Sequence, residues 1–310
     1  MRCRELPGHD RENQEAPERM SAVRALLSNI VDYAGLFPPA ALDMAVAVRN
    51  YLQYRDEQSS WMLGRFVAPV SRLGELRSEL DRVSIDRPVA ISATTGADVD
   101  ADISAAHTFN RLNVGLARVE VLEARLSTPA AIERAASGRG ELELFVEVPV
   151  HPDPKTLIDA IARAGVAAKM RTGGTTPDAF PSASAVVGFV RRCLEAGARF
   201  KATAGLHHPV RAEYPLTYEA GAQRGVMFGF VNVFVAAALM RNGLSDAEAE
   251  RVLLEQERGK FEIGRDAIAW EGHSLSANEL RQVRDRFAVS FGSCSFREPV
   301  DELHAISSVS

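Results

Sequence analysis

Residues 166–205 read VAAKMRTGGTTPDAFPSASAVVGFVRRCLEAGARFKATAG, and this stretch contains a complete strand–helix–strand unit. The run VAAKMR (166–171) is short and largely apolar and leads into a glycine turn, and RFKATAG (199–205) repeats this pattern. The segment between them has the length and spacing of a helix that stops at Gly197. Two parallel strands joined by a crossover helix are therefore predicted, and each strand carries a lysine.

The alternation of strand and helix extends in both directions from this unit. Six further strand-like runs precede predicted helices, at 65–70, 88–96, 117–124, 142–150, 226–231 and 267–272. Eight strand–helix pairs in about 220 residues indicate an α/β protein, a (β/α)8 TIM barrel with an N-terminal helical extension. In this count the lysine-bearing strands are the fifth and the sixth, and a helix is expected at 216–224 after the sixth.

The remaining segments are assigned around the barrel. Residues 1–19 are dense in charge and are predicted to form a disordered leader. The amphipathic segment 20–64 is predicted as an N-terminal helical cap, 65–290 as the barrel, and 291–310 as a C-terminal segment that packs back on it.

Composition limits the possible partners. The 310 residues include 46% hydrophobic and 25% charged residues, which is ordinary for a globular protein. A net charge of −5 gives no electrostatic reason to expect nucleic acid or a membrane as partner. Three widely spaced cysteines fit neither a disulfide framework nor a zinc ribbon, which predicts a reducing compartment, the cytoplasm. A small-molecule substrate is expected without a cofactor, and a homo-oligomer is left open.

Polar residues near the strand ends are the candidate site residues, because barrel active sites lie at the C-terminal ends of the strands. Lys169 and Arg171 share one face of their strand, so with Lys201 three cations are expected in one pocket. Buried cations need counter-ions, which Glu120 and Glu147 on neighbouring strands supply. The catalytic candidates are Lys169, Lys201, Glu147 and Glu120, and the substrate-binding candidates are Arg171, Thr172, Gly173, Gly174, Thr203, His207, His208 and Asn232.

Two close lysines have a specific chemical use. A second cation near a lysine lowers the lysine pKa, and the free amine can then attack a carbonyl and form a Schiff base. Arg171 beside the Gly173–Gly174 turn forms a small nest for a carboxylate or phosphate. These features predict an enzyme of small-molecule metabolism that acts on a small anionic carbonyl compound.

The segment KMRTGGTT…ARFKATAG resembles the two-lysine region of the deoxyribose-phosphate aldolase family, which are class I aldolases on a (β/α)8 barrel. The resemblance covers about 40 residues and implies a lyase in which Lys169 forms the Schiff base and Lys201 tunes it. It places Thr172 and Gly173 near the Thr-Gly of the family's first motif.

Two other hypotheses use the same residues. In the first, His207 and His208 with the glutamates bind a metal ion in an isomerase or hydrolase, although adjacent histidines rarely share one ion. In the second, the charges brace a non-catalytic binding or scaffold barrel, so removing either lysine destabilises the protein. Cys294 also suggests a nucleophile, but the sequence places no base beside it, so a packing role for its segment is favoured.

Overall fold

A computed structural model of the protein describes residues 21–307, and its centre is a closed barrel of eight parallel strands. In chain order the barrel strands are β1 (Val31–Tyr33), β2 (Leu63–Pro69), β3 (Val89–Thr94), β4 (Ala117–Arg125), β5 (Glu143–Glu147), β6 (Ala167–Arg171), β7 (Phe200–Thr203) and β8 (Ala288–Ser293). Each strand pairs with its sequence neighbour, and β1 closes the barrel against β8. The predicted α/β barrel is confirmed.

Helices follow the strands and cover the barrel. They are α1 (Ala22–Leu27), α2 (Met44–Arg55), α3 (Leu73–Leu80), α4 (Val99–Leu112), α5 (Pro129–Gly138), α6 (Lys155–Arg163), α7 (Ala183–Ala196), α8 (Phe230–Arg241), α9 (Asp246–Leu254), α10 (Ala277–Arg286) and α11 (Arg297–Ser307). Short 3₁₀ turns occupy Ser60–Met62, Val70–Arg72, Pro177–Ala179 and Arg258–Lys260. Local signals fix several ends: Ser245 and Ser276 form capping boxes, and Gly197 ends α7 in the left-handed conformation.

Two of the eight predicted barrel strands were wrong. The run 226–231 divides between a two-stranded hairpin (Ala212–Pro215 with Arg224–Met227) and the start of α8, because a continuous apolar run also fits a helix buried on all sides. The run 267–272 contributes Ala267–Trp270 to a small antiparallel sheet with Phe261–Ile263 and His273–Ser276. The helix expected at 216–224 is a turn region ending in the hairpin.

The barrel instead recruits two strands from segments assigned to its flanks. β1 lies inside the predicted helical cap 20–64, and β8 crosses the predicted boundary at residue 290. β1 has only three residues, which is too short to produce a recognisable alternation. The barrel therefore spans 31–293, and the lysines lie on the sixth and seventh strands. The predicted leader 1–19 falls outside the described residues.

The inside of the barrel has an apolar layer beneath a charged one. Val121, Phe145 and Ala167 form a buried cluster of their own, against which Val289 packs. Side chains two residues further along each strand share the same face, which places Glu123, Glu147 and Lys169 above that layer, toward the C-terminal end of the barrel. Strand alternation thus presents charges where barrel enzymes have their active sites.

Candidate active site

The C-terminal ends of the strands surround a cavity of about 690 Å³. Strand ends and the loops that follow them form its wall. The polar side chains in that wall are Thr94, Thr95, Glu123, Arg125, Glu147, Lys169, Arg171, Thr175, Thr203, His207 and Cys294. Six of the predicted site residues therefore share one cavity: Glu147, Lys169, Arg171, Gly174, Thr203 and His207.

A buried ion cluster, which consists of Asp32, Glu123, Glu147, Lys169 and Lys201, occupies the floor of this region. Parallel register aligns Glu147 with Lys169 and Lys169 with Lys201, so three charged residues lie at one level. The Lys169 Nζ is 2.7 Å from Glu123 Oε2 and 2.9 Å from Glu147 Oε2. The Lys201 Nζ is 2.6 Å from both Asp32 Oδ2 and Glu123 Oε1. Glu123 thereby bridges the two lysines.

Mutual pairing keeps Glu123, Glu147 and Lys201 charged despite their burial. Burial alone would raise the pKa of Glu123, but Lys169 and Lys201 outweigh it and hold that pKa well below its ordinary range. Burial likewise opposes ionisation of Glu147, and Lys169 with Arg125 lowers its pKa. For Lys201, burial would lower the pKa, whereas Asp32 and Glu123 raise it above the ordinary lysine value.

The two lysines differ in access to the cavity. Lys169 is 6% exposed and is part of the cavity wall, whereas Lys201 is 1% exposed and lies 5.6 Å from the centre of the Phe145 ring. Further hydrogen bonds hold the carboxylates around Lys201: the Ser290 hydroxyl donates to Asp32 at 2.8 Å, and the Ser92 hydroxyl to Glu123 at 2.6 Å. Lys201 is therefore a sealed structural cation, and Lys169 is the lysine that a ligand can reach.

Cations also line the outer part of the cavity. Arg125 donates to Glu147 Oε1 at 2.7 Å while its side chain stays 76% exposed. Arg171, at the end of β6, is exposed and lies in the cavity wall. Arginine presents a planar set of donors that matches carboxylate and phosphate groups. The arrangement can therefore receive an anionic group at the mouth.

A second group of side chains, the rim cluster, consists of His207, Tyr218, Cys294 and Glu298. The His207 Nδ1 lies 3.3 Å from Glu298 Oε2 and 3.9 Å from the Cys294 sulfur. The Tyr218 hydroxyl lies 3.5 Å from that sulfur and donates to Glu298 at 3.1 Å. β8 delivers Cys294 and α11 delivers Glu298, so the cysteine has the neighbouring histidine that its sequence context lacks.

Several predicted residues lie elsewhere. Glu120 pairs with Arg65 at 2.9 Å and is half-exposed. It precedes Glu123 by three residues, which is about 10 Å along the strand, and so lies below the level of the ion cluster. His208 stacks on Tyr214 and contacts Glu302 at 2.7 Å. Asn232 lies within α8, where its amide donates to the carbonyls of Val252 and Glu255.

The predicted glycine nest has a packing explanation. A Cβ on Gly173 would lie 2.4 Å from the Phe180 ring, and one on Gly205 would lie 3.0 Å from the Gly173 Cα. The loops after β6 and β7 thus approach each other through glycines. Thr172 is buried, and its hydroxyl donates to the Ala204 carbonyl at 2.6 Å. Of the three predicted residues Thr172, Gly173 and Gly174, only Gly174 lines the cavity.

Residues missed by the sequence analysis complete the site. Glu123 had a signal, since alternation from the inward-facing Val121 places it on the inner face, whereas Glu120 lies where the register of β4 against β3 shifts. Asp32 had none, because β1 is too short. Arg125 at the end of β4 and the pairing of Cys294 with His207 depend on contacts between distant parts of the chain.

The Schiff-base prediction fails on the charge of the ion cluster. It required three cations against two carboxylates, but the structure has two lysines against three carboxylates, a sum of −1 (2 − 3), with Arg171 exposed outside. The excess of positive charge that the Schiff-base mechanism requires is therefore absent from the ion cluster. The predicted lyase mechanism is corrected on this ground.

The described residues give two further findings. Within 21–307, no group of three or more His, Cys, Asp or Glu side chains is arranged to hold a metal ion. The glutamate partners of His207 and His208 are Glu298 and Glu302 on α11, not Glu120 or Glu147. In the same part of the chain, every helix is too short or too polar to cross a lipid bilayer.

Comparison with known proteins adds a fold-level likeness. No family model matches the sequence, and no curated protein matches it. One similar solved structure is an aldo-keto reductase from Bacillus halodurans in its holo form, which is 12% identical. The match covers 93% of this chain and 79% of that chain, with a TM-score of 0.40. The aldolase family is not confirmed.

Proposed function

We propose that the barrel mouth is an active site that binds a small carbonyl compound with an anionic group. The site removes a proton from the carbon atom next to the carbonyl group. The position of Lys169 carries this proposal. Its ammonium lies in the cavity wall, and its recorded partners among the described residues are Glu123 and Glu147. An ammonium has three N–H donors, so one remains for the oxygen of a ligand.

Lys169 and Glu147 have complementary roles in this reaction. The Lys169 ammonium donates a hydrogen bond to the carbonyl oxygen and stabilises the negative charge that develops there when the adjacent carbon loses a proton. Glu147 lines the same cavity and is ionised at neutral pH, because Lys169 and Arg125 lower its pKa against the effect of burial. Its carboxylate is the base that accepts the proton.

Other members of the ion cluster position these two groups. Lys201 and Asp32 are sealed from the cavity and hold Glu123 in place, and Glu123 in turn orients the Lys169 ammonium. Arg125 and Arg171 at the mouth bind the anionic group of the substrate. Lys169 acts through its hydrogen bond alone, so no covalent bond to the substrate forms at this position.

Proton transfer is tested by hydrogen exchange in deuterated water. Pyruvate and dihydroxyacetone phosphate serve as probes, and proton NMR measures how fast their C–H groups next to the carbonyl exchange. We expect the protein to accelerate exchange of at least one probe. Because acid–base groups contribute about 10²–10⁴-fold, Lys169→Met and Glu147→Gln should each reduce the acceleration by about 100-fold or more.

Matched variants separate the site from general effects. Lys155→Met removes a surface lysine on α6, and Glu143→Gln removes a carboxylate at the opposite end of β5, where it pairs with Arg199. Both should retain the wild-type exchange rate. Exchange no faster than in buffer for both probes, or equal rates in Lys169→Met and Lys155→Met, would refute the proposed role of Lys169 with these substrates.

A further inference from the structure

Three polar groups surround the sulfur of Cys294, which lies in the cavity wall directly after β8. The His207 ring nitrogen is 3.9 Å away, the Tyr218 hydroxyl is 3.5 Å away, and the backbone N–H of Ala40 also donates to it. The three groups come from separate loops. A cysteine used only for packing needs no such surroundings, as Cys193 in α7 illustrates: it is buried, and burial raises the pKa of its thiol.

The contacts also supply a proton beside the sulfur. Burial alone would lower the pKa of His207, but its contacts with Cys294 and Glu298 raise the pKa to about 9, so the ring is protonated at neutral pH. Burial would raise the pKa of the Cys294 thiol, and His207 and Tyr218 lower it below the ordinary value. The other titratable groups that act on this pair are Glu298 on α11, Tyr33 on β1 and His208.

We propose that Cys294 is a nucleophilic site that captures a small aldehyde at the barrel mouth as a reversible thiohemiacetal. An electron pair of the thiolate sulfur forms the S–C bond, and the π electrons of the carbonyl move to its oxygen. The oxygen then takes the proton from the His207 ring, which leaves a neutral hydroxyl and a neutral imidazole. The addition is redox-neutral and needs no further reactant. It does not depend on proton transfer by Lys169 and Glu147.

Alkylation by iodoacetamide at pH 7, read for each cysteine by peptide mass spectrometry, tests the reactivity of the thiol. We expect Cys294 to react at least about tenfold faster than Cys193, because the thiolate is the reacting form. His207→Gln should slow the Cys294 reaction about tenfold, since an unassisted thiol is only a few per cent ionised at pH 7. Tyr218→Phe, at a residue that is 56% exposed, should cause a smaller decrease without loss of folding. Equal rates for Cys294 and Cys193 in the wild type would overturn the proposal.

Protection by an aldehyde tests the adduct itself, with propionaldehyde as the probe and 1-propanol as a control of similar size that lacks the carbonyl. Propionaldehyde should slow labelling of Cys294, and dilution should restore the rate. The same protection is expected in Lys169→Met, because the bond forms at sulfur. Equal protection by 1-propanol would show simple occupancy of the cavity, and loss of protection in Lys169→Met would show that the lysine, and not the sulfur, holds the aldehyde; either result overturns the proposal. Hydrogen exchange of pyruvate is measured separately, so failure of one proposal does not imply failure of the other.

Discussion

The ion cluster and the rim cluster lie at the same barrel mouth but are held by different kinds of structure. All five residues of the ion cluster come from β1, β4, β5, β6 and β7, and strand register sets their level. The rim cluster combines loop residues His207 and Tyr218 with Cys294 after β8 and Glu298 in α11. The first cluster is thus fixed by the backbone ladder of the barrel, and the second by the docking of a terminal helix.

The two clusters should therefore contribute differently to the stability of the fold and to its pH dependence. In the ion cluster each charge has an opposite partner within 2.9 Å, so its removal leaves a buried charge without compensation. In the rim cluster one histidine nitrogen lies near both a carboxylate and a sulfur, so the charge of each group depends on the protonation of the others. We therefore expect mutations in the ion cluster to lower the free energy of unfolding more than those in the rim cluster, which should change mainly the pH dependence of that free energy.

The largest effect is expected for Lys201→Met. This change leaves the carboxylates of Asp32 and Glu123 buried, and breaking a buried pair in this way costs about 3–5 kcal/mol. Urea unfolding, followed by circular dichroism, measures the loss. Lys155→Met is the control, because its surface pair with Asp159 contributes at most about 1 kcal/mol.

Lys169→Met sharpens the same comparison within the ion cluster. Glu123 keeps Lys201 and Glu147 keeps Arg125, so the free energy of unfolding should fall less than in Lys201→Met. Equal losses for the two variants would mean that the lysines are equivalent parts of a structural lattice, as the scaffold hypothesis holds.

An intermediate effect is expected in acid for Glu123. Its folded pKa is lowered, so its contribution to stability is present above the unfolded value of about 4.3 and is lost as the pH falls toward the folded value. Each such carboxylate contributes a slope of up to about 1.4 kcal/mol per pH unit. Unfolding free energies between pH 3 and 7 should therefore decline less steeply for Glu123→Gln than for the wild type or Glu143→Gln. Parallel curves for all three proteins would contradict the pairing of Glu123 with both lysines.

The sequence is informative about the regular part of the molecule. Short apolar runs with capped helices between them predict the barrel, because strand and helix periodicities are local properties of the chain. Lys169 and Lys201 are predictable as neighbours because they occupy corresponding positions in consecutive strands. The carboxylate partners of the two lysines are less predictable, because the choice between Glu120 and Glu123 depends on how far along β4 the barrel ends. The run 226–231 is ambiguous for another reason, since the same apolar pattern fits a strand and a buried helix.

The rim cluster is beyond the reach of local patterns. His207 and Cys294 are 87 residues apart and meet only because β7 and β8 pair in parallel across a long connection. That connection contains the hairpin and the small antiparallel sheet, which local periodicity does not distinguish from barrel strands. Glu298 joins them through the position of α11, which is set by tertiary packing.

The smallest expected effect, a change in pH slope on removing Cys294, probes this cluster most directly. The raised pKa of His207 gives stability that is fully present below the unfolded value of about 6.5 and is lost as the pH rises through about 9. The lowered pKa of Cys294 has the opposite sign, because the unfolded thiol keeps a proton that the folded one has released. In the wild type the two slopes oppose each other above about pH 6.5.

In Cys294→Ala the cysteine contribution is gone, while Glu298 still favours the protonated histidine, so unfolding free energies should fall with rising pH more steeply than in the wild type. Cys193→Ala is the matched control and should keep the wild-type slope. If Cys294→Ala and the wild type have the same slope between pH 6.5 and 9, then the sulfur and the imidazole do not exchange a proton, and the rim cluster is a packing contact like the one around Cys193.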